Sequence, residues 1–551
     1  MRREQLNILV LQAALVLTGI LLFALLPERS AIRLFVNSDA LYMPALFQDL
    51  FIHRTGISVW HLNGAPNFFP EMLLYFPLMA LLKNTPLTIM VYGIVQMWLI
   101  LFLIDRLFRL TDVHVSHGTR YLVMLTYLLL PLSAVLNEGH LIPSQLLLGG
   151  YHAGFFVNSL LAAILALSYL KMGGIKRLIW LAMLILLATI SDKLFIMGFA
   201  APLILFSLFH LFKKEKKAPY WMLIAVTGLT TLLALFAYRM LNFLGAIEMI
   251  TTGRKMFQFE QISEAMGNFL HHMRAVIIDY PTQRILVLST LLFLLGAPVY
   301  LILSLKRYVS GLLNKEEESS YAMVLFLFLF SIIILSAPII NGYYVGPSLI
   351  RYNYAALVMG TAGLAYLASK LLSPLSSRLS FSKYLSFACT LILLPIVLGT
   401  GIKNQARAGL KGYLNHYPES VRILDQLKQE KGLKYGLGGY WQAKYSTMFS
   451  RNNLRLYSVA NRTFRPGYHV TNENWYHDGG KGQHADPVFN FLETSAFKDT
   501  ERLHEIFGEH IDTLYDQNDM LVIGVPDFKI RREDREIYLL EPGSLSPEPE
   551  P

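Results

Sequence analysis

Long apolar runs recur through the first 400 residues, and they leave this chain few ways to fold. They lie at 6–26, 88–104, 121–136, 155–170, 178–190, 194–212, 220–237, 285–305, 322–337, 354–371 and 385–399. A helix of ~20 such residues crosses the ~30 Å hydrocarbon layer, where no water can satisfy an open backbone. The expected fold is therefore an α-helical polytopic membrane protein of about 11 transmembrane helices, followed by a small soluble domain. Composition agrees, with 54% of the 551 residues hydrophobic and only 16% charged.

A net charge of +10 could mean a nucleic-acid partner. The cations instead cluster in short runs between apolar spans: Lys171, Lys176 and Arg177; Lys213, Lys214, Lys216 and Lys217; Lys306 and Arg307; Lys370, Arg378 and Lys383. That is the excess of Lys and Arg found in cytoplasmic loops, and no nucleic acid is expected. Run 6–26 follows Met1-Arg2-Arg3 and ends in Leu-Pro-Glu-Arg without a small-residue cleavage site. It reads as a retained first helix with a cytoplasmic N-terminus. Treating 72–82 as a further span would invert every basic loop after it, so that run reads as interfacial or re-entrant. The odd number of spans then puts the C-terminal part outside, as in a multi-pass protein of a bacterial-type inner (plasma) membrane. Cys389 is the one cysteine, which excludes intrachain disulfides and thiolate metal sites.

Three regions follow. Residues 1–400 form the transmembrane domain, with an interfacial first outer loop at 27–84. Residues 401–540 form an outward-facing soluble α/β domain, with helices expected at 421–429 and 501–511 and strands at 433–438, 454–459 and 520–525. The Pro/Glu/Ser-rich tail 541–551 is expected to be disordered.

No P-loop, dinucleotide-binding glycine turn, Gly-x-Ser-x-Gly or HExxH motif is present. What remains is a set of polar residues in the outer loops: Glu138, His140, His152, Asp192, Arg254, Lys255, His271, His272, Tyr343, Tyr344 and Arg351. The first outer loop adds Asp39, Asp49, Trp60, Phe69 and Glu71. Two readings of Asp39 stay open. Ser38 or Asp39 caps the helix through Met43 and Leu50, or Asp39 is a carboxylate at the water boundary that accepts a proton from a hydroxyl. Asp49 is assigned to the solvated face of the same helix, and Trp60 to an interfacial aromatic belt.

Ser38-Asp39-Ala40-Leu41-Tyr42, just after the first apolar span, resembles the Asp-Glu-x-x-Tyr of membrane GT-C glycosyltransferases. The protein O-mannosyltransferase and lipid A aminoarabinose transferase groups belong to that superfamily. Ile350-Arg351-Tyr352, opening the span at 354, is similar to the Arg-Tyr signature before a late helix there. The resemblance implies a polyprenyl-phosphate sugar as donor, a glycan, lipid or protein as acceptor, and membrane lipids as surroundings. It implies Asp39 as the base of an inverting transfer, with Glu138 as a second catalytic acid. Arg351, helped by Arg254 and Lys255, would meet the donor phosphate, and Tyr42, Glu71, Tyr343, Tyr344 and Tyr352 would line the substrate site. A divalent metal on Asp39, Glu138, His140 and His152 is compatible with this chemistry but not required by it.

The sequence departs from the family at Ala40, which replaces the second acid, at Phe69, which replaces a lysine, and at Asn158, where a second-loop acid would stand. Two rivals follow from other features. A transporter or flippase for a lipid-linked or anionic substrate would place ionisable residues or broken helices at mid-membrane. An inactive relative that binds a lipid-linked glycan would account for Ala40.

Overall fold

A computed structural model describes residues 35–111, 146–213, 217–250, 258–371, 411–460, 465–477, 487–495, 500–531 and 537–540. The chain divides into two units. One comprises Met1–Ala31, Ala65–Arg239 and Gly253–Tyr413, and the other Ile32–Gly64, Met240–Thr252 and Leu414–Pro551.

The first unit is helical. Its helices are α1 (Leu73–Leu82), α2 (Thr85–Thr111), α3 (Ala153–Met172), α4 (Ile175–Ser191), α5 (Ala201–His210) and α6 (Lys217–Phe243). They continue with α7 (Ile262–Asp279), α8 (Pro281–Val309), α9 (Lys315–Ile340) and α10 (Tyr354–Leu371). Among the described residues five of these, α2, α3, α6, α8 and α9, are long and apolar enough to cross a membrane. Every expected span within the described residues is helical. Those at 6–26, 121–136 and 385–399 lie outside them. Helix α1 has ten residues with Pro77 inside, about 15 Å of rise, and is too short to cross. Helices α6 and α8 leave Leu229, Leu232, Leu233, Phe236, Leu292, Leu295, Ile302 and Leu303 exposed. Leucine-lined faces of that extent are costly in water and cost nothing in lipid, so the chain is membrane-embedded.

Close packing inside this unit depends on small residues. A Cβ on Gly360 of α10 would come within 2.6 Å of the Thr290 methyl of α8, and one on Gly363 equally close to Phe293. Glycine lets the two backbones approach, and Thr290 uses the proximity to donate to the carbonyl of Leu357 at 3.0 Å. One end of the bundle carries an ionic cluster. Glu316, Glu317 and Glu318 open α9, where Asn314 and Glu317 form a reciprocal cap. They pair with Lys370 (3.2 Å), Arg307 (3.0 Å) and Lys213 (2.6 Å), from the ends of α10, α8 and α5. The acidic triplet thus brings three basic runs to one side. The segments preceding α3 and α10 and following α4 and α9 gather at the opposite end.

In the second unit a seven-stranded mixed sheet is ordered β10-β9-β7-β3-β4-β5, with β8 paired to β9. The strands are β3 (Tyr435–Gly438), β4 (Arg455–Ala460), β5 (Arg465–Pro466), β7 (Phe489–Glu493), β8 (Asp512–Gln517), β9 (Met520–Ile530) and β10 (Ile537–Leu539). Strands β3 and β4 are parallel, and the helix Tyr440–Phe449 forms the crossover such a pair requires. Leu437, Tyr457, Phe489, Leu492, Phe507 and Phe528 fill the core. The helix Glu419–Lys431 ends at Gly432 in the left-handed conformation (φ 67°), as helix stops favour.

A second sheet of three strands orders β2-β1-β6: Glu248–Met249, Trp60–Leu62 and Thr471–Asn472. This pairing corrects the expected domain boundary. Residues 32–64 belong with the C-terminal part, because strand β1 pairs β6 in antiparallel register and β2 in parallel register. Trp60 is fully buried, its ring edge-on to Trp475 at 5.3 Å, so it is a core residue and not an interfacial belt.

Candidate functional site

Two polar clusters hold the candidate residues, one in each unit. In the helical unit, His152 sits in the left-handed conformation (φ 65°) just before α3. Its Nδ1 lies 2.7 Å from Oδ2 of Asp192, which follows α4. The other Asp192 oxygen accepts the Leu194 amide at 2.9 Å, which fixes the carboxylate. The His152 ring packs on Tyr352 at 4.9 Å, Tyr343 meets Tyr352 edge-on at 5.8 Å, and the Arg351 guanidinium lies 5.3 Å from the Tyr352 ring. Burial pushes the Tyr352 phenol up, and Arg351 beside it pulls the other way. A planar cation, a phenol and a His–Asp pair therefore converge where the helices end. Such a set can grip an anion in two-point fashion and move a proton.

Glu71 lies beneath this cluster, fully buried. Its Oε1 accepts the amides of Gly150 and Gly154, both at 3.3 Å, at the start of α3, where the helix dipole favours an anion. Oε2 packs against Gly154, where any side chain would collide with it. Asn158, one turn further along α3, donates to the Phe69 carbonyl at 2.9 Å, and Ser191 bonds the same carbonyl. These polar groups hold the turn before α1 against α3 and α4.

In the second unit, Asp39 is half-buried and its Oδ1 accepts the Tyr440 hydroxyl at 2.6 Å. Ser38 donates to the carbonyls of Tyr440 (2.6 Å) and Trp441 (3.1 Å). The ammonium of Lys444, buried one turn along the same helix, reaches the Ser38 carbonyl at 3.3 Å and lies 4.9 Å from the Tyr440 ring. Burial pushes Lys444 down to about 7, against the upward pull of Asp39.

This geometry corrects the capping reading. The helix Tyr42–Phe47 starts after Leu41 with no side-chain cap, and the Ser38 and Asp39 side chains bond to the helix at 440 instead. Asp49 is corrected as well. A π-turn, Gln48–Ile52, follows that helix, and its wider winding rotates Asp49 inward while Phe51 and Ile52 face out. Asp49 Oδ2 accepts from Trp60 Nε1 (3.1 Å), Asn472 Nδ2 (2.6 Å) and Trp475 Nε1 (3.0 Å).

Of the expected substrate residues, Arg351, Tyr352 and Tyr343 come together, joined by His152 from the expected metal set. Tyr42 is buried against Trp60 at 6.3 Å. Tyr344 is buried too, its hydroxyl 2.5 Å from His272 Nδ1. Glu138, His140, Arg254 and Lys255 lie outside the described residues. Among the described residues no group of three or more His, Cys, Asp or Glu could hold a metal ion.

Asp192 was visible in the sequence as an unusual outer-loop acid, but its partnership with His152 was not. Tyr440 and Lys444 were missed altogether. The available signal was Gly438-Gly439 after an expected strand, followed by Tyr-Trp and a lysine in an otherwise uncharged run. Compared with protein-family models and with curated proteins, the chain matches none of them.

Proposed function

We propose that this chain is a membrane glycosyltransferase of the GT-C kind, moving a sugar from a polyprenyl-phosphate donor to an acceptor hydroxyl at the outer face of the inner membrane. The observation that carries the reading is the convergence of Arg351, Tyr352, His152 and Asp192 where apolar helices end. A lipid-linked phosphate presents its charge at that depth, and a guanidinium can bind two of its oxygens. Asp39 is assigned the base's role. The acceptor oxygen attacks the anomeric carbon, its proton passes to the Asp39 carboxylate, and the bond from that carbon to the phosphate oxygen breaks with inversion. The lipid phosphate departs with the bonding electrons, and a cation at the phosphate stabilises the charge that develops on it.

A second reading, transport of a lipid-linked or anionic substrate, is favoured by a different observation. The helical unit contains the buried carboxylates of Glu71 and Asp192 and the short apolar helices Phe68–Leu82 and Ile196–His210, both containing π-turns. Buried acids and interrupted helices are what transporters use at their binding sites. One experiment separates the two. Purified protein is mixed with a panel of polyprenyl-phosphate sugars and with glycan, lipid and protein acceptors in turn, and release of free polyprenyl phosphate is followed. The transferase reading expects release that depends on both Arg351 and Asp39. Movement of labelled lipid between leaflets of proteoliposomes, with no release, would overturn it in favour of transport.

A further inference from the structure

Tyr440 and Lys444 are four residues apart and so share one face of their helix, and that face grips a single peptide unit. The phenol donates to the Asp39 carboxylate, while the amine donates to the carbonyl of Ser38, whose own hydroxyl is bonded back to the start of the helix. The peptide carrying Asp39 is therefore held at the carboxylate, at the carbonyl and at the neighbouring side chain. Each contact comes from residues 440–444, some 400 positions away in sequence. The tyrosine engages Oδ1, which orients the carboxylate. A base that must meet one proton in one direction gains from such restraint.

We propose that Tyr440 and Lys444 are positioning residues for Asp39, the phenol fixing its carboxylate and the amine fixing the backbone that carries it. This inference rests on the reading of Asp39 as the base. Two titratable groups face Tyr440 and Lys444 here: Asp39 itself, and His469 from the segment after β5, whose ring lies 5.3 Å from that of Tyr440. Lys444 changes charge near neutrality, so the grip on the Ser38 carbonyl weakens as pH rises through about 7.

The test uses the full-length protein in detergent and needs no known acceptor. Carboxyl groups are labelled with a water-soluble carbodiimide and an amine between pH 5 and 8, and labelling at Asp39 is read by peptide mass spectrometry. In Tyr440→Phe the carboxylate loses a hydrogen bond to a charged group, and its labelling should rise roughly tenfold or more. In Lys444→Met the wild-type change in Asp39 labelling near pH 7 should disappear. Unaltered labelling at Asp39 in both variants across the pH range would overturn the inference, leaving the two residues as ordinary packing. The base reading is judged apart from this, by sugar transfer in Asp39→Asn. Full activity there would remove Asp39 from the mechanism and the positioning role with it. An inactive Asp39→Asn together with a Tyr440→Phe variant that labels faster and turns over more slowly would support both.

Discussion

Asp49 offers the cleanest quantitative test of how the second unit is held together. Burial raises its carboxyl from 3.8 to about 6, although hydrogen bonds from Asn472, Trp475 and Trp60 all act to lower it. With the folded value above the unfolded one, the ionised form is the form the fold disfavours. The group is neutral in both states below 3.8 and costs nothing there. Stability then falls as pH rises from 3.8 to about 6 and levels off above, for a total of about 3 kcal/mol at 1.36 kcal/mol per unit. Between pH 5 and pH 8 the change is about 1.4 kcal/mol. Asp49→Asn keeps an oxygen to accept from the three donors and removes the charge. It should gain on the wild type by about that amount between pH 5 and pH 8. Asp49→Leu should be destabilised throughout, because Trp60 Nε1, Asn472 Nδ2 and Trp475 Nε1 lose their acceptor at ~1–3 kcal/mol each. Denaturant midpoints followed by tryptophan fluorescence report directly, since two of the six tryptophans contact Asp49. A difference between wild type and Asp49→Asn that stays constant from pH 5 to pH 8 would refute this account.

Four further outcomes are expected. Asp39→Asn should fold normally and lose roughly two orders of magnitude or more of sugar transfer, the worth of a general base; full activity would shift suspicion to Glu138 or to the His152–Asp192 pair. Arg351→Lys should weaken donor turnover well beyond what conserving the charge implies, since a compact ammonium cannot replace a planar fork; donor titration of Arg351→Lys and Arg351→Ala checks this, and unchanged behaviour in both would mean that Arg351 serves only to anchor the helix end. With Cys389 replaced by serine, a cysteine at the exposed Glu509 should react with an impermeant thiol reagent in intact cells; labelling only after permeabilisation would reverse the proposed orientation. Gly360→Val should cost about 1–3 kcal/mol by driving α10 against Thr290, with partial recovery on adding Thr290→Ala; thermal unfolding of the single and double variants decides.

Much of the architecture could be read from local pattern. The span expected at 354–371 has those bounds as α10, and the strands expected at 433–438, 454–459 and 520–525 overlap β3, β4 and β9. Hydrophobic length and alternation are enough in such places, because one physical demand, burial of an apolar face, dominates. The helix Tyr440–Phe449 escaped notice because Tyr-Trp-Gln-Ala-Lys-Tyr-Ser-Thr-Met-Phe has no apolar stripe, so tertiary contacts hold it. The hairpin β8–β9 was missed for a different reason. Its turn, Asn518-Asp519, has both residues at positive φ (53° and 60°), and the flanking strands lack the alternation that marks a hairpin in sequence.

The candidate residues show why function is harder to read than fold. Whether Asp39 caps a helix or takes a proton is a question about its neighbours, and the neighbour that answers it, Tyr440, lies 401 positions away. Asp49 makes the same point in reverse. Assigned to the solvated face, Asp49 is instead carried inward by the π-turn at Gln48, and Asn472 and Trp475 arrive from more than 400 positions away to bond it. Both acids sit in one short segment, ten residues apart. What separates them is exposure. Asp49 is buried and sealed by three donors, whereas Asp39 is half-buried and its Oδ1 accepts the Tyr440 hydroxyl. A substitution that is isosteric and uncharged therefore sorts them: at Asp49 it should register in the unfolding midpoint, and at Asp39 in turnover.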